Sequence, residues 1–305
     1  MQKTEANSAP IPAKSISIER DDQRYLRPAT LNEAFNLRSQ YPEALLVNGG
    51  TDVGLMVTKQ KKLLPTVIDL SGLDELRTVE ETATGITFGA GASLETVKRH
   101  SEGKLQALYD MLAVFGSLQI RNNGTLGGNV ANASPIGDTP PVLMAYEAEV
   151  TVASNTGERT LNINDFITGY RTTALAPNEL ITKIYVPFPT EGTRVHAYKI
   201  SKRKDLDIST VSGGFRLRVN ADNVVEDIRL IYGGMAAMTK RAEEAEAYLT
   251  GKPWAREHAE HAMDLVEAAF TPISDARSGK EGRTVMARNL VLRFWADTQP
   301  AEIIA

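Results

Sequence analysis

The chain of 305 residues contains no cysteine. Disulfides, a thiolate nucleophile, cysteine-ligated zinc and a cysteine-held iron–sulfur cluster are therefore excluded within it. No apolar run reaches the roughly 18 residues that a membrane-spanning helix needs. The opening "MQKTEANSAPIPAKS" sets polar residues and proline where a secretory leader would carry its apolar stretch, which leaves the cytoplasm as the expected compartment. Basic charge is scarce too. The 34 lysines and arginines face 38 acidic residues, a formal net charge of -4, so no concentrated basic surface invites nucleic acid or an anionic membrane. "TKQKK" at Thr58 to Lys62 is short and reads as a solvated face. Of four histidines, only His258 and His261 have ligand-like spacing, and the surrounding glutamates and alanines make them an exposed helix face.

What is present is a succession of short elements in a chain long enough for two or three lobes. Thr30 with Glu33 forms a capping-box pattern ahead of a helix to about Ser39. "ALLVNGGTD", "PTVIDLSG" and "GITFGAGASL" read as strands, the first feeding a glycine turn, and Ser93 caps a helix through "LETVKRH". Residues 104–120 read as a second helix carrying Leu108, Met111, Leu112 and Phe115. "PPVLMAYEAEVTVAS" and "GERTLNINDFI" read as further strands. From about residue 192, "VHAYKISKR", "DISTVSGGFRLRVN" and "VVEDIRLIYGGM" are three strands, the last two joined by the "NADN" turn. From Lys240 the pattern is helical, in "RAEEAEAYLTG", "EHAEHAMDLVEAAF" and "TVMARNLVLRFWAD". The class is α+β. The expected divisions are an arm or linker remnant at 1–23, a first domain at 24–191 with subdomains 24–92 and 93–191, and a small domain at 192–305.

Two glycine stretches stand out: "VNGGTD" at Val47 to Asp52 and "NNGTLGGN" at Asn122 to Asn129, the latter opening the longer "GTLGGNVANASPIGD". Successive glycines let the main chain approach a ligand and expose N–H groups that cradle phosphate oxygens, with Thr51, Thr125 and Asn129 as added side-chain donors. Each stretch alone is equally a tight turn. Two of them meeting on one diphosphate would satisfy both anionic centres without a lysine. Neither is a G-x-G-x-x-G opening a helix in a strand-helix-strand unit, and no G-x-x-x-x-G-K-[ST] occurs, so a dinucleotide would need another fold. Asp138 either accepts hydrogen bonds from a ribose or ring N–H or caps the next turn. "KISKRKDLDIS" at Lys199 to Ser209 is either a charged hairpin tip or a source of cations beside a flavin.

Taken together, "GGTDVG", "GTLGGNVANASPIGD", "GYRTT", "KRKDLDIS" and "ARNLVLRF" resemble, in order, the FAD-binding part of the xanthine dehydrogenase family of molybdenum hydroxylases, from about Arg24 to the end. The resemblance implies a vanillyl-alcohol-oxidase-type FAD domain of two subdomains, then a smaller domain with a three-stranded sheet and a helical bundle. It places Val47, Asn48, Gly49, Gly50, Thr51 and Asp52, with Gly124, Thr125, Gly128, Asn129 and Asn132, on the cofactor's pyrophosphate side. Asp138 falls near the ribose or diphosphate, and Phe115, Ile181 and Lys199 fall around the flavin ring. One departure is "GKEGR", where Gly282 stands at a family tyrosine and Arg283 is retained.

The function implied is electron transfer on FAD. A molybdenum-cofactor subunit oxidises the substrate, [2Fe-2S] clusters of a partner subunit or domain relay electrons, and FAD passes them to NAD+ as co-substrate. No metal, catalytic acid or catalytic base is expected in this chain. The implied assembly is a hetero-oligomer such as a dimer of heterotrimers, with no nucleic-acid or membrane partner, and the chain itself is either a natural subunit or part of a longer protein. Xanthine or hypoxanthine is the expected ultimate substrate. Carbon monoxide, an aldehyde or an N-heterocycle with another acceptor such as oxygen or a quinone is the alternative, and a flavin-free scaffold is a third reading.

Overall fold

The computed structural model describes residues 14–299. The chain starts as a hairpin, β1 (Ile16–Arg20) against β2 (Gln23–Arg27), followed by α1 (Leu31–Gln40). Part of the expected arm is therefore strand, because its alternating "ISIER" finds a partner that only tertiary pairing reveals; residues 1–13 of that arm lie outside the described residues. Thr30 caps α1 as expected, accepting from the N–H of Glu33 at 3.2 Å, but the Glu33 carboxylate reaches Ala29 rather than the cap itself. The parallel strands β3 (Leu45–Val47) and β4 (Thr66–Asp69), linked through α2 (Val53–Thr58), complete a sheet in the order β1-β2-β4-β3. Its core holds Leu26, Ala34, Ile68 and Leu76.

Next come β5 (Val79–Glu81), β6 (Gly85–Gly89) and α3 (Leu94–Ser101), whose cap Ser93 accepts from the N–H of Thr96 at 3.1 Å. The helix expected over 104–120 is two: α4 (Gln106–Ala113) and α5 (Leu118–Asn123). Gly116 turns the chain at φ 44°, and Ser117 begins the second helix by accepting from the N–H of Ile120. Two more helices follow where loop and strand were expected, α6 (Leu126–Ala131) and α7 (Thr139–Ala145). The prolines of "TPPVLMA" sit in the first turn of α7, where their missing N–H groups leave no helical bond unmade.

The hairpin β7 (Glu149–Ser154) and β8 (Gly157–Asn162) leads through α8 (Ile163–Phe166) to the small ribbon β9 (Ile167–Gly169) and β10 (Thr172–Thr173), then to β11 (Leu180–Pro187). The second sheet is antiparallel in the order β5-β6-β11-β7-β8. The helices α3, α4, α6 and α7 share one core with it around fully buried Phe88, Leu108, Leu143 and Ile184, side chains that each contribute about 1.5–3 kcal/mol on burial.

The third sheet contains the three expected strands, β12 (Arg194–Ile200), β13 (Val211–Val219) and β14 (Val225–Gly233), plus a two-residue β15 (Lys240–Arg241). Asn220 makes the β13–β14 turn, its Oδ1 accepting from the N–H groups of Asp222 and Val224. The helices α9 (Glu243–Leu249), α10 (Arg256–Ala269) and α11 (Lys280–Asp297) cover one face around Phe215, Tyr232, Trp254 and Phe294. His261 is exposed on α10, while His258 is half-buried and meets the Tyr248 hydroxyl at 3.1 Å. The α+β class holds. Among the described residues no helix is long and apolar enough to cross a membrane.

Candidate functional site

The first glycine stretch leaves β3 at Val47 and runs to α2. Gly49 lies so close to the second stretch that a Cβ would stand 1.9 Å from the carbonyl oxygen of Asn123, so only glycine lets the two meet. Gly50 takes φ 70°. Among the described residues, the main-chain N–H groups of Gly49, Gly50, Thr51 and Asp52 donate to no protein acceptor. A turn of successive free N–H groups is an anion cradle.

The second stretch is built differently. Thr125 caps α6, and the N–H groups of Leu126, Gly127, Gly128 and Asn129 go to Ala92 O, Ala90 O, Thr125 Oγ1 and Thr125 O. These bonds bind the stretch to residues 90–92, and they consume the main-chain donors that the sequence reading assigned to a ligand. Side chains remain. Asn132 accepts at Oδ1 from Arg171 Nη1 at 2.6 Å, which leaves its NH2 group as a donor. Asn129 accepts at Oδ1 from the Thr139 hydroxyl at 2.6 Å, with the same result.

Between the two stretches lies a cleft of about 340 Å³, lined by residues Val47 to Asp52, by Phe115, by Gly124, Thr125, Gly128, Asn129 and Asn132, and by Arg171. The expected pyrophosphate residues thus share one cleft. A narrower apolar chamber of about 90 Å³ shares Val47, Asn48, Thr125 and Gly128 with it and adds Leu70, Leu76, Leu180 and Ile181. Ile181 is therefore apart from Phe115. It precedes the irregularity at Thr182 in the β11–β7 pairing, and Thr182 O accepts from the N–H of Ala90 at 2.9 Å.

Asp138 and Lys199 were assigned to different parts of a cofactor, yet they form one buried pair. Lys199 Nζ donates to Asp138 Oδ2 at 2.6 Å, with the side chains 6% and 7% exposed, and the Ser209 hydroxyl donates to Oδ1 at 2.5 Å. Asp138 heads α7 without capping it through its side chain. The ammonium lies 5.9 Å from the Phe115 ring, so the pair stands behind that aromatic. The guanidinium of Arg121 donates to the carbonyls of Phe115 and Gly116 at 2.9 and 3.0 Å while pairing with Glu95, which fixes the turn that presents Phe115.

Three contributors went unseen in the sequence. Arg171, exposed and at φ 52°, brings a cation to the cleft from the β9–β10 ribbon; Thr139 and Ser209 act only by orienting Asn129 and Asp138. "GYRTT" contains Arg171 and "KRKDLDIS" ends on Ser209, whereas no local pattern marks Thr139.

Two glycine stretches, one a nest of free N–H groups and the other a frame for amide donors, on an α+β scaffold, have the form of a site for a diphosphate-bearing nucleotide cofactor. Residues 18–189 match the family described as FAD binding domain in molybdopterin dehydrogenase, and residues 196–298 match the CO dehydrogenase flavoprotein C-terminal domain. The chain belongs to this FAD-binding family of the molybdenum hydroxylases. It is 35% identical over 295 residues to the xanthine dehydrogenase/oxidase of Gallus gallus, and 34% identical over 301 residues to the nicotinate hydroxylase of Emericella nidulans. Those matches cover 92% and 90% of this chain but 22% of each relative, so the chain spans about a fifth of their length. A chain of the carbon monoxide dehydrogenase from Hydrogenophaga pseudoflava that lacks the Mo-pyranopterin moiety superposes with TM-score 0.84 at 28% identity, covering 90% of this chain and 96% of the other. A chain of quinoline 2-oxidoreductase from Pseudomonas putida 86, at 23% identity and TM-score 0.82 over 92% of this chain and 98% of that one, shares the fold.

Proposed function

We propose that this chain is the FAD-carrying electron-transfer component of a xanthine dehydrogenase, taking electrons from [2Fe-2S] clusters of a partner and reducing NAD+. The observation that carries the FAD assignment is the run of N–H groups from Gly49 to Asp52, unpartnered among the described residues, which lines one cleft with Asn129 and Asn132. These donors suit the two anionic centres of a pyrophosphate. Phe115 in the cleft and Ile181 in the apolar chamber would supply the apolar contacts that hold the cofactor's rings. FAD supplies the junction between one-electron and two-electron carriers. The chain's own residues bind and orient: Phe115 sets a wall of the cleft, and Lys199 with Asp138 holds that wall from behind. No side chain here is assigned a proton transfer, so positioning and electrostatics are the protein's contribution.

NAD+ as acceptor is supported by the likeness to xanthine dehydrogenases and by Arg171, an exposed cation at the cleft suited to a second dinucleotide's phosphates. The molybdenum and iron–sulfur centres lie on partners in a cytoplasmic hetero-oligomer, with residues 24–191 as the FAD domain and 192–305 as the small domain. A second reading, the flavin component of another molybdenum hydroxylase acting on carbon monoxide or an N-heterocycle, draws support from the C-terminal family match. Anaerobic NADH titration of the FAD-loaded chain separates them. Bleaching of the flavin band by NADH supports NAD+ as acceptor. A band that ignores NADH but bleaches with dithionite supports the second reading.

A further inference from the structure

Arg283 on α11 is 1% exposed, the most deeply buried cation of the C-terminal helices, and its contacts, all within residues 192–305, fall on two segments that themselves bond to residues 132–138. Its Nη1 donates to the carbonyls of Thr210 and of Gly234, the latter at 3.0 Å, and its Nη2 donates to Asp275 Oδ1 at 2.8 Å. Both carbonyls belong to segments that bond to the stretch behind the cleft. Thr210 follows Ser209, whose hydroxyl holds Asp138. Gly234, at φ 82°, donates its N–H to Pro135 O at 2.7 Å, in the segment that runs from Asn132 to Asp138. Partial burial raises the Asp275 carboxyl, but the N–H of Arg277 and the guanidiniums of Arg283 and Arg277 outweigh it and hold the pKa well below the usual carboxylate range. The anchor is thus a full ion pair. Its Nε is buried without a hydrogen-bond partner among the described residues.

We infer that Arg283 is a positioning residue for the cofactor, acting from the C-terminal domain through Thr210–Ser209 and Gly234–Pro135 to hold the Asp138–Lys199 pair behind Phe115. Resting on the FAD reading above, this extends the small domain's part in the binding apparatus beyond Lys199. A lysine at 283 keeps the charge but cannot serve two carbonyls and a carboxylate from one planar fork. Nothing in this arrangement touches the Gly49–Asp52 cradle, so a binding change from Arg283 must travel through the far wall.

The experiment is FAD titration of the apoprotein by fluorescence quenching, with thermal melting alongside, for wild type, Arg283→Lys, Ser209→Ala and the double variant. We expect Arg283→Lys to weaken FAD about tenfold and the double variant to lose little more than the worse single one, since residues on one path couple. Asp275→Asn, which leaves the guanidinium in place but loosens it, should show a smaller loss in the same direction and serves if Arg283→Lys does not fold. Folded variants that bind FAD like wild type overturn the inference while leaving the FAD reading intact. A double variant whose loss is the product of the two single losses overturns the path through Ser209. A wild-type chain that takes up no FAD overturns both.

Discussion

Lys199 Nζ and Asp138 Oδ2 meet at 2.6 Å across 61 residues, with both side chains almost wholly enclosed. A buried pair of this kind is hard to break from one side, because the remaining charge stays in a medium that cannot solvate it. Lys199→Met is expected to lower folding stability by about 3–5 kcal/mol, and adding Asp138→Leu to recover most of that loss. Urea unfolding of the three proteins checks it. Equal stabilities for wild type and Lys199→Met would show that the pair is not enclosed in solution.

That pair also marks where sequence reading stops. Thr30, Ser93 and the Asn220 turn were legible because each acts within four residues of itself. The three strands of the last sheet were legible as stretches bounded by turns, the "NADN" turn joining two of them. By contrast, α6 is "LGGNVA", a poor helix former locally, and it exists because Ala90 and Ala92 take its first N–H groups. For the same reason its main-chain donors, expected for phosphate, are spent inside the protein. The break at Gly116 and Ser117 was readable in retrospect as glycine followed by a cap. Arg171, Ser209 and Arg283 reach their partners over 39, 71 and 73 or 49 residues, and no local pattern encodes such distances.

The two kinds of glycine should separate binding from folding. Gly49→Ala drives a methyl into the Asn123 carbonyl and is expected to cripple folding. Gly128 is exposed at the cleft, and a Cβ there meets only the Thr125 hydroxyl, at 2.8 Å. Gly128→Val is therefore expected to fold, with a loss of about 1 kcal/mol from the disturbed cap, yet to retain no FAD. The ratio of flavin to protein absorbance after purification, beside a melting curve, reads both effects.

Glu179, just before β11, accepts from Arg159 through both oxygens at 2.7 Å and from the N–H of Ala176. The Arg159 hydrogen bond leads in holding its pKa below the usual value, against the opposing effect of burial. A carboxylate depressed in the folded state adds stability above its unfolded pKa and loses it as pH falls through the folded one. The stability gap between wild type and Glu179→Gln should be full above about pH 5 and shrink progressively below about pH 4. Denaturant midpoints across that range test the sign, and a gap that widens toward acid would refute the assignment.

The flavin content of the purified chain after incubation with excess FAD and desalting, measured from its visible spectrum, tests whether the cleft holds FAD. One FAD per wild-type chain is expected, seen as the flavin's visible absorption bands, and none in Gly128→Val. A colourless wild-type chain that takes up no FAD, or a Gly128→Val chain that holds a full complement, would contradict a cofactor site between the two glycine stretches.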